Sequence, residues 1–519
     1  MKSVFFFLLS FLYILSADSQ TTFSKSIDVD GSGEIAVALK VAEDGYWLLA
    51  SSTCYPLFAD CFEIVKTNLG GEKVWDKMYH NYPLKFKPGT FRGNNGIVLT
   101  QDGGVYISGL IESPETSLDV FLMKTDANGD SVLFRTFGSP YIDINGAVIF
   151  RTDSTLLLYS DLALAPNDDD IVWLLETDLE GNVVWEKTYG DSFGMVGVLD
   201  IELLGNGDLV FSYLACYQSG ACDGSTPNST IGLYLTRINM NGEELWTKKV
   251  MDISLFYPPY QNNSSLVVLD DGGFLLSFFR DNSDGGWFFP PILIWLDSMG
   301  NFVQQFDFPA ETERAIHQIH KTSSGTVIGA GLIDRFDADL GIGGWVFGMT
   351  QQGELLWERQ IFDLRFPLKE SFFTAFEEAP DGGLILTGFI QDTFPNHEPF
   401  INNPNIWLVK LDSAGCLEPD CDLMQIVGEP TQTRYSNESR VFKIYPNPAR
   451  NVVYLEKEET FGFKARFADL MGKVFLEANF QAGNRQQFDI SLLPPGIYFL
   501  WIENEDGELV QVEKIVIQN

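Results

Sequence analysis

Three consecutive aspartates, Asp168, Asp169 and Asp170, close the stretch LALAPNDDD, and Asp281 with Asp284 and Asp337 with Asp339 stand in two further polar stretches. Hard cations take clustered carboxylate oxygens, so these are the candidate calcium ligands. The competing reading is solvation, because a chain with 34 Lys and Arg against 71 Asp and Glu shows such clusters everywhere. IDVDGSGE (27–34) opens like a calcium loop but lacks the third ligand pair and the closing glutamate of an EF-hand. Tyr257, Tyr260, Trp287, Phe288, Phe289 and Phe394 are aromatics in loop sequence, suited to stacking on a sugar, anchoring a protein or packing over a rim. His317 and His320 in AIHQIHK are three apart, a spacing that on a strand sends the rings to opposite faces and argues against a metal pair. His80 and His397 stand alone, and there is no G-x-S-x-G elbow, P-loop or H-E-x-x-H. The pattern assigns no catalytic residue and no cofactor beyond a calcium ion.

The elements that carry these residues come from repetition. TDLEGNVVWEKTYGD (177–191) recurs as TNLGGEKVWDKMYH (67–80), TDANGDSVLFRTFG (125–138), INMNGEELWTKKVM (238–251), LDSMGNFVQQFDFP (296–309) and MTQQGELLWERQIF (349–362), with a truncated copy LDSAGCLEPDC (411–421). Ahead of each copy lies an apolar run, a turn and another apolar run, as in LTQDGGVYISGL (99–110), LLGNGDLVFSYL (203–214) and APDGGLILTGFI (379–390). Each unit therefore holds four short strands joined by glycine turns, and radial repetition of such units is a β-propeller. Seven units account for residues 20–421, and TTFSKSIDVD (21–30) has the pattern of the outer strand that the seventh unit lacks. The expected fold class is all-β: a seven-bladed propeller, closed by the strand at 22–30, followed by a small second domain.

Trp75, Trp185, Trp246 and Trp357 each follow a turn glycine by four residues, which reads as packing between blades and not as a binding row. In this arrangement the tight turns share one side of the disc. The opposite side carries long, mutually different connections such as CYQSGACDGSTPNST (216–230), MDISLFYPPYQNN (251–263) and RDNSDGGWFFPP (280–291), where binding is expected.

Residues 1–19 have the lysine, short apolar run and small residues of a secretory signal peptide, and no later stretch is apolar for long enough to form a membrane helix. Six cysteines fall into three local pairs, Cys54 with Cys61, Cys216 with Cys222 and Cys416 with Cys421, read as disulfides of an oxidising compartment. The net charge of −37 opposes nucleic acid and anionic lipid as partners.

A polar stretch at 422–440 reads as a linker. Beyond it, 441–519 contains YPNP (Tyr445, Pro446, Asn447, Pro448), NVVYL, DLMGK with Gly472, LPPGIYFLWI with Gly496 and Tyr498, and KIVIQ. These phrases, in this order, closely resemble the C-terminal sorting domain of the type IX secretion system of Bacteroidetes. The final Gln-Asn departs from the basic residue more usual there. The resemblance implies an Ig-like β-sandwich, recognition by the type IX machinery, and release or attachment at the cell surface. The expectation for the whole is a secreted or surface propeller that binds a glycan or protein without catalysis. The alternative is a polysaccharide hydrolase or lyase using loop carboxylates of the propeller funnel.

Overall fold

The computed structural model describes residues 20–29, 33–54, 59–79, 85–86, 93–113, 117–163, 170–190, 196–216, 230–254, 264–279, 290–309, 312–335, 340–363, 370–392, 403–427, 442–457, 462–468, 474–481, 485–491, 493–494, 496–504 and 509–517. Seven four-stranded antiparallel blades follow one another in the chain. Blade one runs Glu34–Ala42, Gly45–Cys54, Ala59–Asn68, Lys73–Tyr79 from axis to rim. Blade two has its inner strand in pieces, Lys85–Phe86 and Ile97–Leu99 separated by a 3-10 turn at Gly93–Gly96, then Val105–Ser113, Ser117–Thr125 and Ser131–Phe137. Blades three to six span 144–189, 196–254, 265–307 and 314–363. Blade seven is Glu370–Glu378, Leu384–Asp392 and Asn403–Leu411, with Phe23–Ile27 as its outer strand, antiparallel to Asn403–Leu411 in the register Phe23↔Lys410 to Ile27↔Ile406.

Burial grades outward. Second and third strands such as Leu209–Cys216 and Asp170–Asp178 are near-continuous apolar runs because neighbouring blades cover both their faces. Outer strands such as Phe302–Asp307 lie mostly in solvent. The repeated turns explain both the glycines and much of the acidity. Twelve turns share one pattern: at Leu204 the N–H donates to Asp208 O at 2.9 Å, and Gly207 N–H donates back to Leu204 O at 2.8 Å. The glycine in each has a φ between +70° and +93°, where a side chain is strained. In the outer turns an Asp or Asn caps free backbone donors; Asp126 Oδ1, for instance, accepts from Asn128 N and Asp130 N at 2.9 and 2.8 Å. In the inner turns a carboxylate meets a cation of the third strand: Asp102–Lys124, Asp208–Arg237 and Asp381–Lys410 at 2.6–2.8 Å.

The same turn glycines are the joints between blades. A Cβ at Gly129 would lie 2.9 Å from the ring of Trp75 of the preceding blade, at Gly300 2.8 Å from Trp246, and at Gly415 2.6 Å from Trp357. Arg135, Lys187 and Gln304 take that place against Gly181, Gly242 and Gly353. The circle closes on Gly71 of blade one, where a Cβ would lie 2.6 Å from the ring of Phe23 of blade seven. Trp75, Trp246 and Trp357 are thus spacers faced by a glycine, whereas Trp185 packs on the cluster of Leu209 and Tyr213.

One segment departs from the sequence reading. Within 422–440, taken as a linker, Met424–Val427 forms a strand running parallel to the outer strand of blade six, so the propeller continues past residue 421. Cys416 and Cys421 are disulfide-bonded. Cys61 is disulfide-bonded too, while the side chains of Cys54, Cys216 and Cys222 lie outside the described residues. The C-terminal region packs two sheets, Phe442–Tyr445, Val452–Lys457 and Arg485–Asp489 against Val474–Phe480, Phe463–Ala468, Gly496–Asn504 and Leu509–Ile517, around Phe442, Phe467, Leu500 and Ile515.

Candidate functional site

The two faces of the disc differ. Turns on one side keep nearly one length, whereas connections on the other run from three residues (114–116) to thirteen (217–229). Trp287, Phe288, Phe289, Tyr257, Tyr260 and Phe394 fall in these connections and lie outside the described residues, as do Asp168, Asp169, Asp281, Asp284, Asp337, Asp339, His80 and His397. Asp170 is described: it begins a strand of blade three opposite Ala163. Among the described residues no group of three or more His, Cys, Asp or Glu converges to hold a metal.

What the structure does assemble is a polar axis, which pattern reading missed. Inner strands carry bulges at equivalent places, between Ala36 and Ala38, Val198 and Asp200, Ile316 and Gln318, and Phe373 and Ala375. Each bulge re-aims the side chains beyond it. This corrects the histidine reading: with the extra residue at His317, both imidazoles face blade seven, His317 against Phe372 and His320 against Phe376. Those two phenylalanines lie four residues apart on one strand. His317 Nδ1 bonds to Phe373 O, and burial holds both rings below the usual histidine range.

The 3-10 turn GNNG of blade two lies among strands of other blades. Asn94 Oδ1 accepts Leu39 N–H of blade one at 2.9 Å, and its Nδ2 donates to Glu377 of blade seven at 3.0 Å. Glu377 also receives Lys40 Nζ at 2.6 Å and Val41 N–H at 2.9 Å. Asn95 Nδ2 donates to Tyr159 Oη at 2.8 Å and to Asp200 Oδ1 at 3.1 Å, while Asp200 Oδ2 accepts Leu266 N–H at 2.8 Å. Two asparagines thus tie strands of blades one, three, four and seven to blade two, and Asp200 extends the link to Leu266 of blade five. Glu202, two residues from Asp200 on the same strand, is pushed up to about 8 by burial and then by the Asp200 charge, against a smaller pull from Lys321. A neutral carboxyl beside a charged one is the usual arrangement of an acid-base pair. Here, however, Asp200 is committed to its hydrogen bonds.

In the C-terminal region the motif residues meet the last strand. Asn447 Oδ1 accepts Val516 N–H at 2.9 Å, and Ala449 N–H donates to Val516 O at 2.8 Å. Tyr498 is buried with its hydroxyl on Pro494 O at 3.0 Å, Gly496 opens the same strand, and Gly472 lies outside the described residues. Pro446, Asn447 and Pro448 stay exposed, and Tyr445 Oη donates to Glu456 at 2.7 Å. Residues 443–518 match the family described as "Secretion system C-terminal sorting domain". This region is a type IX sorting domain. It directs the chain out of the cell, to the medium or the cell surface. No helix among the described residues is long and apolar enough to cross a membrane.

No curated protein matches the chain. Solved structures similar to it include the GH93 α-L-arabinofuranosidase of Fusarium graminearum (12% identity, 60% of this chain and 92% of that one, TM-score 0.41). Others are the β-propeller domain of the Trilobed protease from Pyrococcus furiosus (10%, 74% and 99%, 0.39) and the α-L-arabinanase of Penicillium chrysogenum (14%, 76% and 99%, 0.36). The blades themselves are counted from the strand ladders.

Proposed function

We propose that this exported propeller is a binding module whose variable-connection face holds an extracellular glycan or protein, without catalysis. The observation that carries the reading is the contrast between faces: uniform turns on one, connections of three to thirteen residues on the other, mounted on a ring keyed blade to blade. A rigid frame with divergent connections lets binding loops vary while the frame stays fixed. The hydrogen bonds of Asn94 and Asn95 to inner strands of other blades support it, since they hold the frame on which the connections are mounted.

The second reading, a polysaccharide hydrolase or lyase, draws on Asp200 and Glu202, whose backbones lie roughly 6.5 Å apart on one strand. The three hydrogen bonds on Asp200, from Asn95, Leu266 and Ile201, favour a structural role for it. One experiment separates the readings. The full-length protein is applied to an array of extracellular polysaccharides and surface proteins, and each hit is then assayed for new reducing ends or unsaturated products. Saturable binding with no product supports the module; product release abolished by Glu202→Gln supports the enzyme; a blank array with folded protein contradicts both.

A further inference from the structure

Blade six is sealed in a way no other described blade is. Its outer strand, Leu355–Asp363, is open to solvent at its start, but Gln360, Ile361, Phe362 and Asp363 are all buried. In blade five the outer strand Phe302–Asp307 is exposed at five of six positions. The cover is Met424–Val427, paired in parallel as Gln360↔Met424, Ile361↔Gln425, Phe362↔Ile426 and Asp363↔Val427.

The path of the chain explains the backward step. The outer place of blade seven belongs to Phe23–Ile27, so after Leu411 the chain cannot continue there. It turns at Asp412–Cys416, closes the small Cys416–Cys421 loop and returns to blade six. Several contacts hold the return in place. Gln360 N–H donates to Leu423 O at 2.8 Å. The buried Gln425 side chain accepts Leu417 N–H at 2.6 Å and donates to Gly415 O at 2.8 Å. Gly415 is itself the partner of Trp357 on blade six. Met424 packs on the cluster of Trp345 and Phe362, and Val427 on that of Ile361 and Trp407.

We infer that residues 412–427 form a latch, a fifth strand that fastens blade seven back onto blade six and belongs to the propeller as cargo, apart from the sorting domain. An open strand edge is a template for pairing with another chain, and this strand covers the end of that edge at 360–363. The first position at which the sorting domain can be parted from the disc without opening a ladder therefore lies after Val427.

Hydrogen exchange on the full-length protein tests this. In the wild type, peptides covering 357–363 and 417–427 are protected. In the parallel register with Gln360 N–H on Leu423 O, the Gln425 N–H is the one directed at the outer strand of blade six, so Gln425→Pro removes a ladder donor, and exchange of 357–363 is expected to rise at least tenfold while blades one to five stay at wild-type rates. Gln425→Ala, which keeps the backbone, is expected to raise it several-fold. Limited proteolysis of the full-length protein is expected to leave a resistant core that still contains Met424–Val427. Unchanged protection of 357–363 in both variants would overturn the latch. So would deprotection spread over all seven blades, or a resistant core ending before Met424.

Discussion

The joint between first and last blades offers the sharpest quantitative test, because Phe23 is paired with Lys410 of blade seven while its ring stands against Gly71 of blade one. Gly71 has φ +77°, and a Cβ there would stand 2.6 Å from the Phe23 ring. Gly71→Ala carries a backbone cost of about 1–2 kcal/mol for the left-handed conformation. Forcing the ring aside adds overpacking of about 1–3 kcal/mol. Phe23→Ala removes a half-buried ring and is expected to cost about 2 kcal/mol, below the usual range for a fully buried phenylalanine. In the double variant the backbone cost persists but the clash is gone, so the coupling should be about 1–3 kcal/mol in favour of the pair. Urea unfolding of the four proteins reads this directly. Gly205→Ala, where no heavy atom lies within 4 Å of the added carbon, serves as a control with little change expected. Additivity within about 0.5 kcal/mol would refute the contact across this joint.

Three further outcomes follow. Glu202 keeps its proton up to about pH 8 in the folded chain but loses it near 4.5 when unfolded, so the folded state holds the extra proton between those values and stability falls as pH rises through that window. Glu202→Gln should flatten that slope, by at most about 1.4 kcal/mol per pH unit, in unfolding curves taken from pH 4 to 9. Asp200→Ala orphans the buried Leu266 N–H and takes one of two acceptors from the Asn95 amide and should cost about 2–4 kcal/mol, whereas Asp200→Asn, which keeps one acceptor, should cost less; equal losses would contradict the axial role. A chain ending after Val427 should fold with the wild-type melting temperature of the propeller yet accumulate inside the cell envelope; its normal appearance outside would contradict delivery by 443–518.

The rhythm of turn glycines made the blades legible, because a positive φ at a fixed offset and the alternation that follows it are local properties of the chain. Trp75, Trp246 and Trp357 were readable as spacers for the same reason. The axis was not. Asn94 and Asn95 sit in an ordinary GNNG, and nothing local says that this turn crosses to Glu377 and Asp200 on other blades. His317 and His320 misled because a bulge shifts the two-residue alternation by one, and a bulge has no reliable signature in a single sequence. MQIV at 424–427 looked like linker since four residues between polar stretches carry too little pattern to announce a strand; its partner, the buried end of Leu355–Asp363, is what defines it. The loop aromatics and the Asp168–Asp169 pair were legible as candidates only, being set by tertiary placement of the connections that carry them.

The central claim is that the variable-connection face binds. Equilibrium binding of the best array hit should be measured for the wild type, for Trp287→Ala with Phe288→Ala, and for Val183→Ser with Val184→Ser on the opposite, tight-turn side of the rim, where both valines are exposed. The account predicts at least a tenfold loss of affinity for the aromatic pair and wild-type affinity for the valine pair. The reverse pattern, or equal affinity for all three, would contradict it.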